Sequence, residues 1–170
     1  MRNTARWLAS VSMGVLACAA GAVQAAEHKH DHSKLPPGPI RDRHELMETQ
    51  GQEAQNISEA FSLGSEGFDT GVIQQQAQAI ALSAHQIPSL FPKGSTDPNS
   101  RALPAIWENG NWDKFQQLAK QLEDQANSLA NAAASGGDES LQEKANKMFA
   151  TCKACHDQFR KPEPKKKKGK

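Results

Sequence analysis

The sequence predicts an all-α protein folded as an antiparallel four-helix bundle. Apolar residues recur at three-, four- and seven-residue steps in four successive stretches, and this is the period of amphipathic helices. Glycine and proline lie at the boundaries of these stretches, where helices end. Aromatic residues make up only 5% of the chain and tyrosine is absent, which argues against strand-rich folds, since those are enriched in aromatic residues. The 170 residues are the length of one domain.

The first 25 residues have the features of a secretory signal peptide. A basic segment with Arg2 and Arg6 precedes the apolar run Trp7–Ala22, and small residues fit a cleavage site after Ala25. One alternative is a membrane anchor, but the run is shorter than the roughly 20 residues that span a bilayer. Another is a lipoprotein signal at Cys18, but the apolar run continues past it. We therefore expect an exported, periplasmic protein with no membrane span after cleavage.

The expected mature chain has three parts. Residues 26–38 are polar and end in Pro-Pro-Gly, so we expect a disordered linker there. Residues 39–161 form the bundle, and residues 162–170 form a basic tail. From residue 26 to residue 160 the chain holds 12 basic and 18 acidic side chains, a net charge of −6. The lysines of the tail are either a solvated end or a patch that steers docking to an acidic redox partner or an anionic lipid.

Three alternating histidines in the linker, His28, His30 and His32, have two interpretations. One is a weak metal site. The other, which we favour, is a disordered segment that happens to be rich in histidine, because ligands on such a segment lack a preorganised geometry.

Capping and helix-breaking residues set the limits of the four predicted helices. Asn111 and Asp138 are the expected N-cap residues of the third and fourth helices. Glycines separate the first two helices and the last two, so both pairs are joined by short turns and are antiparallel. The expected limits are Pro39 to Gly64, Val72 to Pro88, Asn111 to Gly136, and Asp138 to Pro162.

The segment between the second and third helices, Ser89–Gly110, is rich in proline and glycine and is predicted to be irregular. About 20 residues without regular structure is long for a compact domain, and such loops are usually functional or pack through their own side chains. The side chains available for that packing are Phe91, Leu103, Ile106 and Trp107.

The inner faces of the predicted helices are rich in alanine and modest in leucine. Such a core is thin for four helices, so we expect a large apolar prosthetic group between them. The predicted inner residues of the third helix are Phe115, Leu118, Ala119, Leu122, Ala126, Leu129 and Ala133, and those of the fourth are Leu141, Ala145, Met148, Phe149, Cys152, His156 and Phe159.

A C-x-x-C-H motif near the C-terminus, formed by Cys152, Cys155 and His156, is the attachment signature of one covalent haem c. Two thiols one helical turn apart can add to the two vinyl groups of one haem, and the adjacent histidine then ligates the iron. Three alternatives are weaker. A zinc site needs about four ligands, and no second cysteine pair survives cleavage. A thioredoxin-like pair needs a strand–helix context, and a plain disulfide leaves His156 unexplained.

The same residues give the chain a resemblance to class II cytochromes c, the cytochrome c′ family, over residues 40–160. That family has a four-helix bundle with the attachment motif near the C-terminus. The matching motifs are Arg43-x-x-x-Met47 in the first helix, Ala102–Trp107 before the third, Trp112–Phe115 at its start, and Cys152–His156 followed by Arg160. Met47 makes the resemblance favour the low-spin branch, the cytochromes c-556.

The resemblance implies roles for residues outside the attachment motif. Met47 would lie on the distal side of the haem as the sixth iron ligand, and the alternative is a core side chain only. Arg43 would pair with a haem propionate and Arg160 would lie on the proximal face, and for each the alternative is a solvated helix arginine. Trp107 would pack near the haem edge.

These features predict a periplasmic mono-haem cytochrome that exchanges electrons with redox partner proteins and is not an enzyme. The alternative is a five-coordinate cytochrome c′ that binds nitric oxide or carbon monoxide, and the two differ in whether Met47 ligates the iron. A third hypothesis is a metal-handling exported protein that uses the linker histidines. No catalytic constellation and no nucleic-acid surface is visible in the sequence, a homodimer is compatible with the resemblance, and His44 and His85 are expected not to bind iron.

Overall fold

The fold comes from a computed structural model that describes residues 34–62, 69–136 and 140–162. These residues contain four long helices: α1 Pro39–Ser62, α2 Thr70–Gln86, α3 Asn111–Ala134 and α4 Leu141–Phe159. The only strand-like feature in these ranges is one isolated antiparallel bridge. The predicted all-α four-helix bundle is therefore confirmed.

Several predicted features lie outside the described residues. These are the signal peptide, the three linker histidines, the glycines expected to end the first helix, and the lysines of the tail from position 165 onward. None of the described helices combines the length and the apolar character that a membrane span requires.

The described end of the expected linker differs from the prediction. Leu35 is buried, with 6% of its surface exposed. Its carbonyl accepts a hydrogen bond of 2.6 Å from Nη2 of Arg41, and the carbonyl of Lys34 accepts one from Asn99. Leu35 therefore packs on the bundle despite the local Pro-Pro-Gly composition, because its apolar side chain is buried and its carbonyl has a hydrogen-bond donor.

The N-cap residues of α3 and α4 also differ from the predicted ones. Asn111 is the first residue of α3 rather than its N-cap, and its side-chain amide donates to the carbonyl of Ala105 at 2.9 Å. The cap position belongs to Gly110, whose φ of 75° lies in the left-handed region that favours glycine. For α4 the cap position is Ser140, later than the expected cap Asp138, which lies outside the described residues.

The long connection between α2 and α3 is more regular than predicted. It contains two short 3₁₀ helices, Ile87–Leu90 and Pro104–Trp107. Phe91 and Ile106 are buried, as the loop-packing prediction requires. The connection is thus held on the core by its own apolar side chains.

The helices pack in the order α1–α2–α3–α4. Of the adjacent pairs, α2 and α3 pack most extensively, whereas α4 and α1 touch most sparsely. All the predicted inner residues of α3 are buried, and so are Leu141, Ala145, Met148 and Phe159 of α4. The other predicted inner residues of α4, Phe149, Cys152 and His156, are only half-buried. The bundle is therefore least closed where α4 faces α1.

Candidate haem-attachment site

The two cysteines of the motif lie in the last two turns of α4 as free, half-buried thiols. Burial raises the pKa of both, and it raises that of Cys155 to about 11, with a further contribution from the neighbouring Cys152. Both sulfurs are therefore protonated at neutral pH. Because they are unpaired and one helical turn apart, both are available to the same planar group.

His156 follows directly and is half-buried on the same helix. Burial, with smaller contributions from the positive charges of Arg160 and Arg101, lowers its pKa to about 4, and the carboxylate of Asp157 opposes this shift. The imidazole is neutral at neutral pH, so one ring nitrogen carries a free lone pair. A neutral imidazole is the form of histidine that ligates a metal.

Half-buried apolar side chains occur on both α4 and α1. On α4 one of them is Phe149, one turn before Cys152, and on α1 they are Leu46, Met47, Ala54 and Phe61. These side chains pack against the core without being fully covered by protein. Free thiols, a neutral imidazole, half-buried apolar side chains on α4 and α1 and sparse packing between these two helices fit a haem.

The structure places Met47 on α1 one turn after Arg43, where it is half-buried and in contact with the core. Its side chain is thus not fully covered by protein. The side chain also packs against the core, so its position is compatible both with ligation of the haem iron and with a role in core packing alone.

Arg43 lies deeper than the sequence suggested. Only 3% of it is exposed, and its guanidinium donates to Ser95 Oγ at 2.7 Å, to the Ser95 carbonyl at 2.8 Å and to Ser100 Oγ at 2.9 Å. It also lies 4.7 Å from the ring centroid of Phe91. The alternative that Arg43 is a solvated helix arginine is therefore wrong. Pairing with a haem propionate stays a prediction, and it would use a guanidinium N–H that these three hydrogen bonds leave free.

The remaining expected site residues have different surroundings. Trp107 is half-buried, and its indole N–H donates to the carbonyl of Phe91 at 3.0 Å. Arg160 is exposed, directly after α4, and its backbone pairs with Ala102 in the isolated bridge. The aromatic side chains meet around Phe115, at centroid distances of 4.8 Å to Phe91 and 5.5 Å to Phe159.

Both histidines that were expected not to bind iron lie beside carboxylates. Nε2 of His44 is 3.3 Å from Glu48, and Nδ1 of His85 is 3.4 Å from Glu123.

Sequence reasoning missed the polar residues that join the loop to α1 and to the end of α4. Ser95, Ser100 and Lys161 make these contacts, yet serine and lysine in a polar segment form no recognisable pattern. The arginine of the Arg43-x-x-x-Met47 motif was the one available signal, because a guanidinium on a core-facing helix stripe requires several acceptors.

Fold and site together define a helical-bundle protein with a C-x-x-C-H haem-attachment motif in its last helix. A sequence model described as cytochrome c′ matches residues 38–160. A cytochrome c′ from Rhodopseudomonas palustris is 34% identical over 125 residues, which are 71% of this chain and 80% of that protein. A cytochrome c-556 from Agrobacterium tumefaciens is 32% identical over 125 residues, covering 72% of this chain and 97% of that protein.

Solved structures agree. The cytochrome c′ structure from Rhodopseudomonas palustris superimposes with a TM-score of 0.65 at 30% identity, covering 76% of this chain and all of that one (100%). One from Shewanella frigidimarina gives a TM-score of 0.65 at 24% identity, covering 73% of this chain and 94% of that one, and supports the fold. The chain belongs to the cytochrome c′ family, and as a member it carries a covalently attached haem c.

Proposed function

We propose that the protein is a periplasmic electron carrier. In this proposal Cys152 and Cys155 hold the haem, His156 ligates its iron on one side, and Met47 ligates it on the other. When bound, the haem supplies a one-electron couple at its iron. The proposal is supported by the free, half-buried thiol pair and the neutral imidazole on α4, and by the sparse packing of α4 on α1, the helix on which Met47 is half-buried.

The chain's own residues have simple tasks in such a carrier. The turn of α4 between the two thiols fixes the imidazole of His156, because the covalent attachment and the ligand lie on one rigid helix. Phe149 and the half-buried apolar side chains of α1 would exclude water from the haem. A methionine ligand opposite a histidine raises the reduction potential, which suits exchange of electrons with other periplasmic redox proteins.

The chain is exported and cut after Ala25, it performs no substrate chemistry of its own, and it meets its redox partners as a soluble protein, as a monomer or a homodimer. The acidic body and the lysine tail offer such partners two regions of opposite charge.

Attachment is tested by expression with a haem-maturation system, followed by haem staining after denaturing electrophoresis. We expect the wild type to retain its haem and the C152S/C155S double variant to lose it, because only covalent attachment survives denaturation. Retained stain in the double variant would remove these cysteines from the site.

Ligation by Met47 is tested by absorption spectra of the oxidised and reduced protein and by addition of carbon monoxide. We expect a low-spin spectrum with little response to carbon monoxide in the wild type, and a high-spin, carbon monoxide-binding form in Met47→Leu. Met148→Leu is the matched control, because this methionine is fully buried in α4 and the swap conserves volume.

Gas binding is the second candidate, and the packing of Met47 against the core favours it. If that packing holds the thioether away from the iron, the wild type will already bind carbon monoxide and Met47→Leu will change the spectrum little. That pair of results would replace the electron carrier with a gas-binding cytochrome c′.

A further inference from the structure

Arg43 is the most deeply buried charged side chain among the described residues. Its three hydrogen bonds all go to the connection between α2 and α3, to Ser95 and Ser100, and its guanidinium lies over Phe91. Burial lowers its pKa, and the carboxylate of Asp97 opposes that effect. A guanidinium in such a place is stable only while its acceptors stay, because an unpaired buried charge is costly.

The acceptors are themselves bonded to the end of α4. Ser100 Oγ also accepts from the backbone N–H of Ala102 at 3.3 Å, and the Ser100 carbonyl accepts from Nζ of Lys161 at 2.7 Å. Ala102 pairs with Arg160 in the isolated bridge, and the N–H of Lys161 donates to the carbonyl of Arg101 at 2.7 Å. A continuous set of hydrogen bonds therefore runs from α1 through the loop to the residues directly after α4.

This set spans the two helices that touch most sparsely. On α1 it begins one turn before Met47, and on α4 it ends just after the turn that contains His156. Few direct contacts between α1 and α4 fix their separation, so the loop supplies the fixed connection.

We propose that Arg43 is a positioning residue which, through Ser100, sets how closely α1 approaches α4 and so how firmly the distal side is closed by Met47. The inference rests on the proposed function for the role of Met47. It differs from a propionate contact, because it assigns the effect of Arg43 to the serines of the loop, which a propionate contact would not involve.

The test measures carbon monoxide association with the reduced holoprotein and the absorption band of the ferric iron–methionine bond. We expect Ser100→Ala to raise the association rate about tenfold, which corresponds to about 1.4 kcal/mol, and to weaken the methionine band. Arg43→Met should do at least as much, and Arg43→Lys should fall between it and the wild type, because one ammonium cannot replace a forked donor.

The control is Ser89→Ala in the same connection. Its hydroxyl is exposed and donates to the carbonyl of Gln86, outside the set, so we expect wild-type rates. If Ser100→Ala does not fold, Ser95→Ala replaces it, because that change removes one acceptor of Arg43 and keeps the Ser95 carbonyl.

The inference would be overturned if the serine variants bind carbon monoxide at the wild-type rate and only Arg43→Met changes it. That result would instead favour a contact between Arg43 and a haem propionate. A wild type without the methionine band would contradict the proposed function instead. In that case the inference still holds if the serine variants speed carbon monoxide association, and it fails if they do not.

Discussion

Most buried polar side chains in the described residues are matched by a partner from another element. Gln50 of α1 donates to Ser83 of α2 at 2.8 Å, and Thr151 of α4 donates to Gln125 of α3 at 2.7 Å. Each such pair fixes one helix against its neighbour, because breaking it leaves a buried polar group without a partner. Arg43 does the same between α1 and the loop.

Glu53 of α1 has a buried side-chain oxygen that lacks such a partner. Its Oε2 is buried and has no hydrogen-bond partner among the described residues, and burial raises its pKa to about 6. The folded protein therefore holds the proton more tightly than the unfolded chain does. Stability is lost as the pH rises from the unfolded value of 4.5 through about 6, and above that the charged form remains a cost to the fold.

We expect Glu53→Gln to raise the melting temperature at about pH 8 and to change it little at about pH 4, because the amide removes only the charge. Thermal unfolding followed by circular dichroism checks this. Glu45→Gln, an exposed position of the same helix, should show no such dependence. An equal shift for Glu53→Gln at both pH values would mean that ionisation is not the cause.

At the scale of elements, alanine controls how the helices pack. Buried alanines lie on both helices of the most extensive contact, and small side chains let helix axes approach closely. They are Ala77, Ala81 and Ala84 in α2, and Ala119, Ala126, Ala130 and Ala133 in α3.

The start of α2 depends on one cap. Oδ1 of Asp69 accepts from the N–H groups of Gly71 at 2.8 Å and Val72 at 3.3 Å. We expect Asp69→Ala to lower the free energy of unfolding by about 1 kcal/mol, because two helix N–H groups lose their acceptor. Asp69→Asn keeps an acceptor oxygen and should cost much less, and urea unfolding compares the two. Equal losses would show that the charge, rather than the cap bond, stabilises the helix.

At the scale of the whole molecule, α1 and α4 touch each other sparsely and are connected through the loop, and in the proposed function the haem also joins them. We expect the chain made without haem attachment to lose amide protection in α1 and α4 while the α2–α3 pair keeps more of it, because that pair packs most extensively on its own. Hydrogen exchange with mass spectrometry, haem-bound against haem-free, checks this. Uniform loss across all helices would mean that the bundle unfolds as one unit.

The helices, most of their limits and the presence of a covalent haem could be predicted from the sequence. A 3.6-residue apolar period, glycine and proline at helix ends, and a C-x-x-C-H motif are local patterns that need no tertiary contacts to be recognised. The inner residues of α3 followed for the same reason. The individual roles of Cys152, Cys155 and His156 stay predictions. Ligation by Met47 stays a prediction, since the apolar stripe of a helix fixes which side a residue faces and leaves its partner open.

The hydrogen-bond partners and the burial of several individual residues could be known only from the folded structure. Arg43 was expected to pair with a haem propionate or to be a solvated helix arginine, yet it is buried against Ser95 and Ser100. Leu35 is buried although its segment has the composition of a linker. The N-cap of α3 is Gly110 rather than the predicted Asn111, whose side-chain amide donates to the carbonyl of Ala105 in the preceding turn. In each case the deciding partner is supplied by the folded chain, and contacts of that kind leave no periodic trace in the sequence.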